Sequence, residues 1–250
     1  MRKKFNGVLI NFRVTKNKTN DNYVILLHGF GGSTDSFKGL EDYLITKNLS
    51  VINLDFAGFG KSSYPLENYD LNDYFIIVKQ LLNYLNIDSV SVVAHSFGGR
   101  VAILLSTQTD MVRNLILVDS AGIKPRFSFF RWLKIKIYKT KKMLNNKCGC
   151  KFNLEKYGSS DYKSMPKNLR VVFNKIVNCD LTNLLKDITA KTLLIWGEKD
   201  TSTPLYMAKK FKKYINGSEM YVYKNSSHFS YLENHNDFCK RVGQFLEKEN

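Results

Sequence analysis

A regular alternation of two kinds of segment constrains this chain more than any other feature. Short apolar runs recur at Tyr23–Leu27, Val51–Leu54, Val90–Ala94, Leu115–Val118, Thr192–Trp196 and Met220–Tyr223. Between them, Ser36–Ile45, Leu71–Leu85, Gly99–Ser106, Leu205–Ile215 and Asp237–Leu246 carry apolar residues at helical spacing. Strands that alternate with helices build parallel βαβ units, so a mostly parallel sheet with helices on both faces is expected. Near the start, Asn6-Gly7 sits between strand-like stretches and predicts an antiparallel hairpin at one edge. With 250 residues, 44% of them hydrophobic, the chain can bury a full core of this type.

The alternation lapses once, for about seventy residues between Val118 and Thr192, which is too long for an ordinary connection. Helix-like pieces at Phe129–Leu144 and Leu169–Val177 predict an inserted helical subdomain, residues 122–188, in a core formed by residues 1–121 and 189–250. Helical projection gathers Phe129, Trp132, Leu133 and Leu144 on one side and Lys134, Lys141 and Lys142 on the other. The expected arrangement is a helix packed on the main domain with a solvated basic face; the rival is a lid drawn to anionic membranes.

Net charge is +16, and much of it lies in one place. From Ser120 to Leu154 there are ten basic residues, Lys124 through Lys151, and no acidic one. The chain has neither a zinc-finger pattern nor the aromatic signature of RNA-recognition modules, so no nucleic-acid partner is expected. It contains no apolar run near the ~18 residues of a membrane span. The N-terminal "MRKKFNGVLINFRV" lacks the features of a signal peptide, which predicts a cytoplasmic protein. Its four cysteines then read as free thiols. Cys148-Gly149-Cys150 has none of the histidines (His28, His95, His228, His235) near it in sequence, so no metal is expected.

Chemistry concentrates where the third apolar run ends. In "SVSVVAHSFGG" the strand stops at Ser96, with Ala94 two residues before and Gly98 two after. Small residues there permit a sharp strand–turn–helix that lifts the serine hydroxyl above the sheet. Such a turn also aims the Phe97 amide, at a helix N-terminus, toward developing negative charge. An ordinary helix N-cap serine would satisfy the same short pattern. Three other strand ends supply context. "LLHGFGGS" can present the Phe30 amide as a second oxyanion donor, and it lacks the Gly-Lys-Ser/Thr of a phosphate loop. "WGEKDTSTP" places Asp200 after another strand, and "NSSHFSYLE" places His228 after the last.

In chain order these are Ser96, Asp200 and His228, the nucleophile–acid–base order of α/β-hydrolases. Together with "HGFGGS", "LDFAGFGKSS", "AHSFGGR", "LVDSAGIKP", "WGEKDTSTP" and "SSHFSYLE", the chain resembles the α/β-hydrolase fold superfamily over residues 28–233. The similarity is to the branch with a helical cap inserted after the sixth strand. It departs from the common pattern at Ala57, Ala94 and Ser227, none of which removes a reacting group. The resemblance implies an eight-stranded, mostly parallel sheet and a serine hydrolase with catalytic Ser96, Asp200 and His228. It implies no cofactor, and a small-molecule ester with small or medium apolar groups as substrate. Asp119, at the end of Leu115–Val118, is the rival acid, because some relatives place theirs there. His95 is expected to point away from the serine, His28 to brace the oxyanion loop and His235 to lie on the surface. Carbon–carbon bond hydrolysis of a diketone-like compound would use the same triad, as would lactonase, acyltransferase and perhydrolase chemistry. A ligand-binding protein of the same fold is the alternative from another class, and the oligomeric state stays open.

Overall fold

The computed structural model describes residues 1–17, 22–65, 69–126, 129–148, 152 and 167–247. Among these residues eight strands form one sheet: β1 (Arg2–Phe5), β2 (Val8–Thr15), β3 (Tyr23–Leu27), β4 (Ser50–Leu54), β5 (Val90–His95), β6 (Val112–Val118), β7 (Lys191–Gly197) and β8 (Glu219–Tyr223). Their spatial order is β1-β2-β4-β3-β5-β6-β7-β8. The β1–β2 and β2–β4 pairs are antiparallel, and every other pair is parallel. Asn6 and Gly7, at φ 42° and 81°, make the hairpin that joins β1 to β2.

Every residue of β3, β4 and β5 is buried, because helices cover both faces. On one face, α1 (Lys38–Thr46), the short α7 (Ser230–Glu233) and the terminal helix α8 (His235–Glu247) contribute Phe37 at the α1 N-cap, Leu40, Leu44, Tyr231, Phe238, Val242 and Phe245 to a single cluster. On the other, α2 (Leu71–Tyr84), α3 (Phe97–Gln108) and α6 (Leu205–Tyr214) bury Tyr74, Leu81, Val101, Leu105 and Phe211. Each such side chain contributes about 1.5–3 kcal/mol. Caps explain several helix starts. Asp70 accepts from the Asn72 amide at 2.8 Å while Asp73 reaches back to the Asp70 amide, which fixes α2 where its apolar stripe begins. A 3₁₀ turn, Thr34–Phe37, capped by Ser33, precedes α1.

Between β6 and β7 the chain contributes α4 (Phe129–Cys148), α5 (Lys167–Val177) and a 3₁₀ turn, Thr182–Asp187. Helix α5 buries Leu169, Val172, Phe173 and Ile176, an i, i+3, i+4, i+7 stripe, against the main core. The guanidinium of Arg100, on α3, is buried and donates to the carbonyls of Val177 and Cys179, where α5 ends. In α4, Leu133 was assigned to the packed side by its spacing, yet it is exposed. Ile137, one turn on, is exposed with it, so spacing identified a shared side but not what covers it. The side chains of Phe129, Trp132 and Lys134 fall outside the described residues, as does Cys150, whereas Cys148 is exposed and free. Among the described residues no helix is long and apolar enough to cross a membrane.

Candidate active site

Ser96 joins β5 to α3 in a left-handed conformation, φ 48° and ψ −111°, which costs a non-glycine residue free energy. The surroundings over-determine it: its amide donates to the Val118 carbonyl at 3.1 Å, and its carbonyl accepts from Ala121 at 3.0 Å. Gly98 is required by close approach, since a Cβ there would run into the Leu27 carbonyl of β3. Helix α3 starts at Phe97, directly after the serine and two residues earlier than its apolar spacing indicates. The Phe97 amide is therefore one of the first helical N–H groups, which have no intrahelical acceptor and carry the positive end of the dipole. Phe30 stands in the turn that Gly32 closes onto the Gly29 carbonyl at 3.1 Å. The Phe30 and Phe97 rings pack with centroids 4.3 Å apart, so the two residues expected to supply oxyanion amides are neighbours.

The loop after β8 brings His228 to the serine. Its Nε2 lies 3.0 Å from Ser96 Oγ and its Nδ1 lies 2.8 Å from Asp200 Oδ2. Thus Ser96, His228 and Asp200, distant in sequence, form one chain of hydrogen bonds. Asp200 is buried, and four donors besides desolvation decide its state. Against the upward pull of burial, His228, Thr203 Oγ1 (2.6 Å) and the amides of Ser202 (2.8 Å) and Thr203 (2.9 Å) hold its carboxyl below the usual range. A hydroxyl so placed can surrender its proton to the imidazole as it attacks, with the carboxylate stabilising the imidazolium that results. Thr203 escaped the sequence reading, although its place three residues after an aspartate in "DTSTP" is a signal for a side-chain turn.

The other candidates are spoken for. Asp119 accepts from the Gly197 amide at 2.7 Å and from the Ser230 amide (3.2 Å) and hydroxyl (2.6 Å). Burial pushes its carboxyl up to about 7 despite those donors. His95 stacks near His228, centroids 4.9 Å apart, but its Nε2 bonds to the His228 carbonyl at 2.9 Å, and burial lowers its ring to about 3. His28 bonds through Nδ1 to the Gly29 carbonyl (2.7 Å) and through Nε2 to the Phe56 amide (3.0 Å). It thereby ties the Phe30 turn to the segment after β4, and burial lowers its ring to about 4. His235 differs from its surface assignment: it opens α8 half-buried, its ring lying against Gly39 of α1.

Known proteins agree with this architecture. A family model described as alpha/beta hydrolase fold matches residues 22–147, just over half the chain. A second, described as TAP-like protein, matches residues 178–249. A 2-hydroxy-6-oxononadienedioate/2-hydroxy-6-oxononatrienedioate hydrolase of Pseudomonas putida is 24% identical over 261 residues, covering 89% of this chain and 87% of that protein. The enol-lactonase of Burkholderia xenovorans superposes with a TM-score of 0.79 at 19% identity, over 99% of this chain and 100% of its own. An esterase of Exiguobacterium antarcticum does so at 0.78 and 20% identity, over 97% of each chain. The two structures speak for the fold, and the family model for descent: the chain belongs to the α/β-hydrolase fold family.

Proposed function

We propose that the protein is a serine hydrolase that cleaves carboxylic esters carrying small or medium apolar groups. The observation that carries this reading is the pair of contacts of one imidazole, 3.0 Å to Ser96 Oγ and 2.8 Å to Asp200 Oδ2. In the proposed reaction Ser96 Oγ bonds to the ester carbonyl carbon while its proton passes to His228 Nε2. The tetrahedral oxyanion is held by the Phe30 and Phe97 amides, each donor being worth about 3 kcal/mol in well-studied cases. Collapse breaks the carbon–oxygen bond, and His228 gives the proton to the departing alcohol. Water then repeats the sequence on the acyl-enzyme. Residues 122–188 act in this scheme as a cap over the site, with α5 its inner wall.

The test is hydrolysis of short p-nitrophenyl esters by wild type, Ser96→Ala and His228→Ala. Both variants should lose turnover while keeping the wild-type thermal transition, and wild-type turnover by Ser96→Ala would end the reading. A second reading is hydrolysis of a carbon–carbon bond beside a carbonyl, favoured by the name of the Pseudomonas putida relative. The same side chains serve it, so parallel assays on esters, lactones and vinylogous diketones decide between them. Fluorophosphonate labelling of Ser96 in the folded protein separates both from a non-catalytic binder.

A further inference from the structure

The two sides of a reacting ester carbonyl must meet different groups. The alcohol oxygen of an ester must lie beside His228 Nε2, because that nitrogen protonates it as it leaves. With the carbonyl oxygen against the Phe30 and Phe97 amides, the acyl chain must project away from His228. Around Phe30, an expected oxyanion donor, aromatic rings interlock: it packs on Phe59 at 5.4 Å, on Phe97 at 4.3 Å and on Phe173 of α5 at 4.8 Å, the last edge to face. Phe173 is only 8% exposed. Its helix is fixed at both ends, since Leu169 lies over Gly58 and the Arg100 guanidinium holds the carbonyls of Val177 and Cys179.

We infer that Phe173 is the specificity-determining residue on the acyl side, closing it to all but short acyl chains. The inference rests on the ester-hydrolase reading and adds which half of the ester is selected. A packed pocket rejects added methylenes because they force side chains off their rotamers. Discrimination of tenfold or more per badly fitting group is what such pockets deliver. Shortening Phe173 removes the ring without touching Ser96, His228, Asp200 or the oxyanion amides.

The experiment measures kcat/KM for p-nitrophenyl acetate, butyrate, hexanoate and octanoate with wild type, Phe173→Leu and Phe173→Ala. It adds a leaving-group series of ethyl, phenyl and naphthyl acetates. Wild type should fall steeply beyond butyrate. The hexanoate-to-acetate ratio should rise at least about tenfold in Phe173→Ala and by less in Phe173→Leu. The leaving-group series should keep its wild-type pattern in both variants. Thermal unfolding and fluorophosphonate labelling of Ser96 establish that each variant is folded and competent, and Phe173→Leu decides should Phe173→Ala not fold. An unchanged ratio in a folded, labelled variant overturns the inference and leaves the hydrolase reading intact, as does a wild type that accepts octanoate as readily as acetate. No ester turnover and no labelling in wild type overturns both.

Discussion

Replacing Asp200 by asparagine tests the proposed chemistry at its least ambiguous point. The side chains are nearly isosteric, so the asparagine carbonyl can accept from the Ser202 and Thr203 amides, which Oδ1 now does at 2.8 and 2.9 Å. That choice turns the NH₂ group toward His228 Nδ1 and Thr203 Oγ1, where Oδ2 now accepts at 2.8 and 2.6 Å. Two donors cannot share that contact. The imidazole must therefore accept at Nδ1 and carry its proton on Nε2, 3.0 Å from Ser96 Oγ. The base at the serine is gone while the geometry survives. A wrong tautomer of this kind costs about 10⁴-fold in kcat in the best-studied triad, or ~5.5 kcal/mol of transition-state stabilisation. Stability should drop by only about 1.5–3 kcal/mol, the worth of a hydrogen bond to a charged group.

The folded Asp200 carboxyl lies below its ordinary value, so its contribution to stability is present at neutral pH and lost as pH falls through the folded value. Wild type and variant should accordingly converge in urea-unfolding free energy toward acid pH. Steady-state turnover of p-nitrophenyl acetate at pH 7.5 reads the kinetic half. A variant within tenfold of wild type would mean that Asp200 does not set the tautomer of His228.

Two further outcomes are expected. Asp119→Asn should lower stability by about 1–3 kcal/mol, since its NH₂ group would face the Ser230 amide. Burial raises the Asp119 carboxyl to about 7, so wild-type stability from this group falls as pH rises through the window from ordinary carboxylate values to that point. The gap between wild type and variant, measured by urea unfolding, should narrow across it, and a gap that widens refutes the assignment. For the basic segment, changing Lys134, Lys136, Lys141 and Lys142 to Gln should leave vesicle behaviour unaltered, because we expect little sedimentation of wild type with anionic vesicles at physiological salt. Each lysine at such a surface could add ~1 kcal/mol, screened over ~8 Å. Strong wild-type binding that the variant or high salt abolishes would make this a membrane-surface enzyme.

Features that depend on a residue and its near neighbours were legible in the sequence. Strands β3, β4 and β5 are buried on both faces, so their apolar runs carried a signal that only Asn53 and Ser91 interrupt. The turn at Ser96 needs small residues at fixed offsets, and Ala94 and Gly98 mark them. Features set by what packs across space were less legible. Leu133 shares a helical side with apolar residues, but periodicity does not say whether anything lies opposite, and it is exposed. His235 looks like a surface residue of a terminal helix, yet α1 brings Gly39 against it. The role of Phe173 was invisible because its partner, Phe30, is far off in sequence.

The choice between the two acids shows the same boundary from the side of chemistry. Asp119 and Asp200 both follow strands of the sheet, and both are buried. What separates them is where the oxygens are spent. Asp119 uses Oδ1 on the Gly197 amide, three residues before Asp200, and Oδ2 on the amide and hydroxyl of Ser230, two residues after His228. It is thereby committed to joining the two loops that carry the other acid and the base. Asp200 leaves Oδ2 to His228 Nδ1 and receives Thr203 Oγ1 beside it, while Thr203 Oγ1 also lies 3.0 Å from the Asp119 carbonyl. The rival acid and the acid that meets the histidine are thus parts of one scaffold. Removing Asp119 should act through the placement of His228 relative to Asp200, and removing Asp200 through the proton on Nε2. The first would appear as a loss of stability with partial activity, the second as a folded protein that has lost its base.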